Sequence, residues 1–136
     1  MREPRTLIVD DDKEFLEILT RYLSNRLKGT IISTPSGAEA YEQLTTQDFD
    51  LILVDYQLAP IEGGSRVDGI QLLAEAKRKD PKSVVFLISG VLNETFTNRV
   101  ELLGGHLIGK PIEMDLLFRL IDRRLTEKGG LDYKKI

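Results

Sequence analysis

Short apolar runs rich in β-branched residues alternate with longer amphipathic segments along this chain, and this alternation limits the fold more than any other feature. Each run is only three to five residues long and is followed by a polar or glycine-containing stretch. Such runs are typical of strands that are buried on both faces. We predict strands at residues 6–9, 30–34, 51–54, 84–88 and 106–108.

The segments between these runs carry helical signals. Ser36 with Glu39 forms a capping box, and Asp68 precedes a run with helical periodicity. The predicted helices cover about residues 12–27, 36–46, 68–79, 93–103 and 112–125, of which the fourth is the weakest. Strands buried on both faces need helices on both sides, and crossovers are right-handed. We therefore predict an α/β fold with a doubly wound, five-stranded parallel sheet in the flavodoxin-like order 2-1-3-4-5 and five helices.

Length and composition restrict the function classes. With 136 residues the chain predicts one domain, at residues 1–127, followed by a loosely held polar tail at 128–136. The absence of cysteine excludes disulfides and thiolate sites, and a single histidine, His106, excludes a multi-histidine metal site. The net charge of −3 gives no indication of direct nucleic-acid binding. No apolar run is long enough for a membrane span, and no signal peptide is recognisable, so we expect a cytoplasmic protein.

Chemically active side chains follow four of the predicted strands. They are three acids, one hydroxyl and one amine: Asp10, Asp11, Asp55, Ser89 and Lys110. Ligands of such sheets bind at the carboxyl ends of the strands, where these residues would converge. Three adjacent carboxylates need a compensating cation, which favours Mg²⁺ and, with it, a phosphate ligand. A carboxylate can attack phosphorus directly and form an acyl phosphate.

The same segments resemble a known protein family. Residues 7–12, 51–55, 87–90 and 110–111 look like the four signature segments of two-component response-regulator receiver domains, in the same order and at similar intervals. The resemblance covers roughly residues 5–126. It implies that Asp55 accepts a phosphoryl group from a histidine kinase. It also implies that Asp10, Asp11 and Asp55 bind Mg²⁺ together with the backbone carbonyl of Gln57.

The resemblance extends to the remaining site residues and to the partners. Ser89 would move onto the phosphoryl group, and Lys110 would pair with the negative charge of that group. The peptide bond between Lys110 and Pro111 would be cis. One of the acids at the start of the first helix, Asp11 or Asp12, would partly serve as a helix cap. The implied partners are a sensor histidine kinase or phosphotransfer protein and a downstream protein effector. Helix 4, strand 5 and helix 5 would form the partner surface, which also allows a homodimer.

Two departures from the family pattern keep an alternative open. The loop after Asp55 is about six residues longer than usual, at residues 61–67, and Leu107 stands where the family carries an aromatic switch residue. Both features slightly favour a non-phosphorylated pseudo-receiver that acts only as an interaction module, whereas the intact acids, hydroxyl and lysine oppose it. A phosphatase with an aspartate nucleophile would need a second acid two places after Asp55, where Gln57 stands. We therefore predict a switch that phosphorylates and dephosphorylates itself and is not an enzyme acting on a separate substrate.

Overall fold

The computed structural model describes residues 1–55, 67–90 and 92–135, and the predicted alternation of strands and helices is confirmed in these ranges. The strands are β1 (Arg5–Val9), β2 (Thr30–Thr34), β3 (Leu51–Asp55), β4 (Val84–Ser89) and β5 (His106–Gly109). The helices are α1 (Lys13–Ser24), α2 (Gly37–Thr46), α3 (Gly69–Lys79), α4 (Glu94–Leu102) and α5 (Met114–Lys128). In the described ranges, no helix is both long enough and apolar enough to cross a membrane.

All five strands pair in parallel, in the predicted order β2-β1-β3-β4-β5. Alternate residues of each central strand point to opposite faces, and each face is covered by helices. Leu7 and Val9 pack with α2, α3 and α4, whereas Ile8 packs with α1 and α5. The two cores flank a sheet whose central strands are fully buried, which explains why those runs are apolar throughout.

Side-chain caps determine where the helices begin. The side chains of Asp12, Ser36, Asp68 and Asn93 each accept a backbone N–H of their helix, and Asp68 with Gln71 forms a complete capping box. Three helix ends differ from the prediction by two or three residues. α5 begins at Met114, after Glu113 as its cap, and continues to Lys128, while α1 ends at Ser24. Apolar periodicity marks the buried face of a helix better than its ends.

The C-terminal segment, residues 129–135, is docked, so the prediction of a loosely held tail is wrong. Leu131 is only 7% exposed and belongs to the core beneath α1 and α5. The carbonyl of Tyr133 accepts the backbone N–H of Lys28 at 2.7 Å, and the N–H of Asp132 donates to the carbonyl of Arg2 at 2.8 Å. Leu131 and Tyr133 pack their side chains on the core and anchor this otherwise polar segment. The backbone groups of the segment also find hydrogen-bond partners nearby, so docking leaves them satisfied.

Helix α4 is the least buried of the five helices. Val100 is its single buried residue, whereas Leu102 at its end is 88% exposed. Phe96 and Leu107 are partly buried against the core on the same face of the sheet. The prediction that α4 is the weakest helix agrees with this shallow packing.

Candidate functional site

Three strands place the predicted acids and hydroxyl at one edge of the sheet, here called the carboxyl edge. Asp55 is the last residue of β3, Ser89 is the last residue of β4, and Asp10 directly follows β1. All three are buried, with exposed fractions of 4%, 0% and 2%. Polar groups withdrawn this far from water need partners within the protein or from a bound ligand.

The acids form one cluster. Carboxylate oxygens of Asp10, Asp11 and Asp55 lie within 4.8 Å of one another, with Asp11 on the exposed side. The ammonium of Lys110 donates to Asp55 Oδ2 at 3.0 Å. The backbone N–H of Lys110 donates to the carbonyl of Ser89 at 2.9 Å, which joins the ends of β4 and β5. The structure thus brings together four of the five side chains that the sequence nominated, and it places Ser89 at the end of the strand beside Asp55. Gln57 lies outside the described residues.

The cluster holds more negative charge than the protein neutralises. The pKa of Asp10 is raised from 3.8 to about 6, mainly by burial and in part by the nearby charge of Asp55. The N–H of Asp12, which donates to Asp10 at 2.9 Å, and the charge of Lys110 act in the opposite direction but do not cancel it. Carboxylates in this state are suitable ligands for a hard divalent cation, which would remove the repulsion between them.

Asp12 has a different task from its two neighbours. Its side chain accepts the backbone N–H of Phe15 at 3.1 Å and so caps α1. This division of labour agrees with the interpretation that one of the acids at this helix start serves as a cap. Because the cap turns the chain, Asp10 and Asp11 remain at the carboxyl edge.

The peptide bond between Lys110 and Pro111 is cis, as the family resemblance implied. Beside it lies an open cleft that leads to the acids. Its walls combine acids with apolar side chains, and they comprise Asp10, Asp12, Phe15, Lys110, Pro111 and Ile112. The sequence analysis did not single out Phe15 and Ile112 as cleft walls, since their spacing marks them equally well as core residues.

A second feature that the sequence analysis missed lies next to Lys110. Gly109 ends β5, and a Cβ added there would lie 2.5 Å from Leu92 Cδ1. The absence of a side chain at Gly109 therefore lets Leu92, from the connection between β4 and α4, lie over the strand. A glycine inside a strand often marks such a close approach, and this was the available signal.

The comparisons with known proteins agree on one family. The model of the family "Response regulator receiver domain" matches residues 6–122. The transcriptional regulatory protein GlrR of Escherichia coli is 27% identical over 123 residues, which are 89% of this chain and 26% of that protein. The nitrogen assimilation regulatory protein NtrX of Azorhizobium caulinodans is 31% identical over 121 residues, 88% of this chain and 25% of that protein. The chain thus spans about a quarter of the length of these relatives.

Solved structures show the same fold. A CheY-like response regulator receiver domain protein from Methanospirillum hungatei superimposes with a TM-score of 0.79 at 23% identity, covering 93% of this chain and 96% of that one. At this identity the likeness concerns the fold alone. It agrees with the strand order and with the five flanking helices described above.

Proposed function

Because this chain belongs to the response regulator receiver domain family, we propose that it is the phosphoacceptor switch of a two-component phosphorelay. Asp55 takes the phosphoryl group from the phosphohistidine of a sensor histidine kinase or of a phosphotransfer protein. The observation that carries the proposal is the geometry around Asp55. A buried carboxylate with a lysine ammonium at 3.0 Å and two further carboxylates beside it is suited to phosphoryl transfer.

The proposed step is a nucleophilic displacement at phosphorus. An oxygen of the Asp55 carboxylate attacks the phosphorus atom, and an acyl phosphate forms. The phosphorus–nitrogen bond of the phosphohistidine breaks, and its electron pair returns to the imidazole nitrogen. Lys110, whose ammonium contacts Asp55, would hold one of the transferred oxygens. The Ser89 hydroxyl, at the end of the neighbouring strand, would hold another.

The acids would hold the Mg²⁺ ion that this chemistry uses. Asp10, Asp11 and Asp55 offer one oxygen each within 4.8 Å, and the raised pKa of Asp10, to which the charge of Asp55 contributes, supports a cation at this place. When bound, Mg²⁺ supplies positive charge that offsets the carboxylates and the phosphoryl oxygens. The family resemblance adds the carbonyl of Gln57, which stays a prediction.

Phosphorylation would act as a switch through the ends of β4 and β5. The new group adds charge and acceptor oxygens, which draw Ser89 and Lys110 towards Asp55. Both residues lie next to the connection from β4 to the shallowly packed α4. Ser89 is the last residue of β4, and Lys110 directly follows Gly109, which lies against Leu92 of that connection. The output is binding of a downstream protein effector in the cytoplasm. The chain turns over no separate substrate and makes no direct contact with nucleic acid or membrane.

The test is phosphorylation by a small acyl phosphate donor such as acetyl phosphate, followed by intact mass measurement. The wild type with Mg²⁺ should gain one phosphoryl group, and Asp55→Asn should gain none. Asp48→Asn, which changes an exposed aspartate at the opposite edge of the sheet, is the matched control and should react like the wild type. Lys110→Ala and a chelator should each slow the reaction.

Two results would overturn the proposal. If the wild type gains no phosphoryl group under conditions that phosphorylate a known receiver, the pseudo-receiver alternative would be favoured instead. Phosphorylation of the Asp55→Asn variant would mean that a residue other than Asp55 is the phosphoryl acceptor. Turnover of unrelated phosphomonoesters would contradict the statement that no separate substrate is used.

A further inference from the structure

An apolar groove between α3 and α4 is not used by the proposed chemistry. Residues of both helices and of the turn after α4 line it: Ile70, Ala74, Thr95, Asn98, Arg99, Leu102 and Leu103. Leu102 is 88% exposed and Leu103 is 36% exposed. Leucines exposed together beside a groove indicate a docking surface, because water contact with them is costly in the free protein.

The groove has the dimensions of a helix-binding site. On α4 the lining residues Thr95, Arg99 and Leu102 repeat at helical spacing over two turns, a length of about 10 Å. On α3 Ile70 and Ala74 lie one turn apart and face them. α4 is attached to the domain through Val100, its single buried residue, and within the described part of the chain the groove lies between α4 and α3. A helix laid in a groove of this kind makes contact through residues at i, i+3 or i+4, and i+7.

The charge of the groove selects its occupant. Arg99 is the single charged residue that lines it, and its side chain makes no ion pair or hydrogen bond within the described part of the chain. By contrast, Arg78 on α3 forms an ion pair with Glu75, with 2.6 Å between the guanidinium nitrogen and the carboxylate oxygen. An exposed guanidinium beside apolar side chains favours a carboxylate, with which it can form two parallel hydrogen bonds.

We propose that the α3–α4 groove binds an amphipathic α-helix of a partner protein that carries an acidic residue between two apolar ones. The apolar residues pack against Ile70 and Leu102, and the carboxylate pairs with Arg99. The lining residues of the groove include none from β5 or α5, so the groove shares only α4 with the surface that the family resemblance implied. The proposal does not rest on phosphoryl transfer at Asp55, because the groove is formed in the unphosphorylated protein.

The experiment uses a labelled synthetic helical peptide with leucines at helical spacing and glutamates between them. Its binding to the unphosphorylated protein is measured by fluorescence anisotropy, and a peptide with lysines in place of the glutamates is the comparison. The acidic peptide should bind about tenfold more tightly, the usual value of one well-formed charge-assisted pair. Arg99→Glu should reverse the order of the two peptides. Leu102→Ser should weaken the binding of both.

The matched control is Arg119→Glu, which reverses an exposed arginine of α5 that has no ion pair within the described residues. It should leave the preference unchanged. Equal binding of the two peptides, or an equal effect of Arg119→Glu and Arg99→Glu, would overturn the proposal. So would a dimer in sedimentation that Leu102→Ser dissolves, since the occupant would then be a second copy. Arg99→Gln removes the charge with little change in shape and should abolish the preference if Arg99→Glu proves unstable.

Discussion

Replacing Asp10 by asparagine should make the metal-free protein more stable. Asp10 is 2% exposed and lies beside the Asp55 carboxylate, so its negative charge is unfavourable in the folded state. Asparagine keeps the oxygen that accepts the N–H of Asp12, and its amide can donate towards Asp55. The substitution therefore removes the charge without removing the local hydrogen bond.

The magnitude follows from the pKa of Asp10. Its value of about 6, against an ordinary 3.8, means that the folded protein binds this proton more tightly than the unfolded chain does. Since one pH unit of difference corresponds to about 1.4 kcal/mol, the charge costs roughly 3 kcal/mol when it is fully formed. The cost is absent below about pH 4, grows between pH 4 and 6, and is complete above pH 6. We expect Asp10→Asn to gain about 2 kcal/mol at pH 8, because its amide is imperfectly paired.

The assay is urea unfolding of both proteins with a chelator at several values between pH 4 and 8. The difference between the variant and the wild type isolates Asp10 from the other acids. Added Mg²⁺ should stabilise the wild type more than the variant. The matched control is Asp12→Asn, which removes a neighbouring exposed charge while keeping a good helix cap, and it should change stability little. A gain that does not depend on pH, or no gain at pH 8, would refute the reasoning.

Two further predictions concern the part of the molecule opposite the site. Gly29→Ala should lower the free energy of unfolding by roughly 3 kcal/mol or more, because Gly29 has a φ of +93° and an added Cβ would lie 2.0 Å from the carbonyl oxygen of Pro4. Gly130→Ala, with a φ of +76° and open space around it, should cost about 1 kcal/mol, and equal losses in urea titrations would contradict the steric argument. Leu131→Ala should cost about 2–3 kcal/mol in the same titration, because this side chain is buried. Lys134→Ala, at an exposed ion pair, should change stability by less than about 1 kcal/mol, and a larger loss there than at Leu131 would show that charge rather than burial holds the segment.

The fold was predictable from the sequence because few topologies satisfy its pattern. Runs that are apolar on both faces require a sheet between two helical layers, and right-handed crossovers then leave few strand orders, of which 2-1-3-4-5 fits five βα units. The site followed from the same reasoning. Once the strand order is known, Asp10, Asp55 and Ser89 must lie at one edge, and the structure places them there. Their chemical roles remain predictions that the phosphorylation experiment tests.

What the sequence could not predict depends on contacts between distant residues. The tail is polar on average, and nothing in its composition shows that Leu131 and Tyr133 find a surface between α1 and α5. The close approach of Leu92 to Gly109 likewise needs the positions of two separate connections. The predicted loop extension at residues 61–67 lies outside the described residues except for Val67, which packs on the core face that α3 covers.

The docking of the C-terminal segment bears on the order in which the domain assembles during synthesis. The ammonium of Lys28 contacts Asp132 across a sequence separation of 104 residues, and that of Lys135 donates to the carbonyl of Ser24 across 111. Segments that are synthesised so far apart in time cannot make contact until α5 has left the ribosome. The end of α1 is therefore among the first parts of the domain to be synthesised and among the last to acquire its full set of contacts.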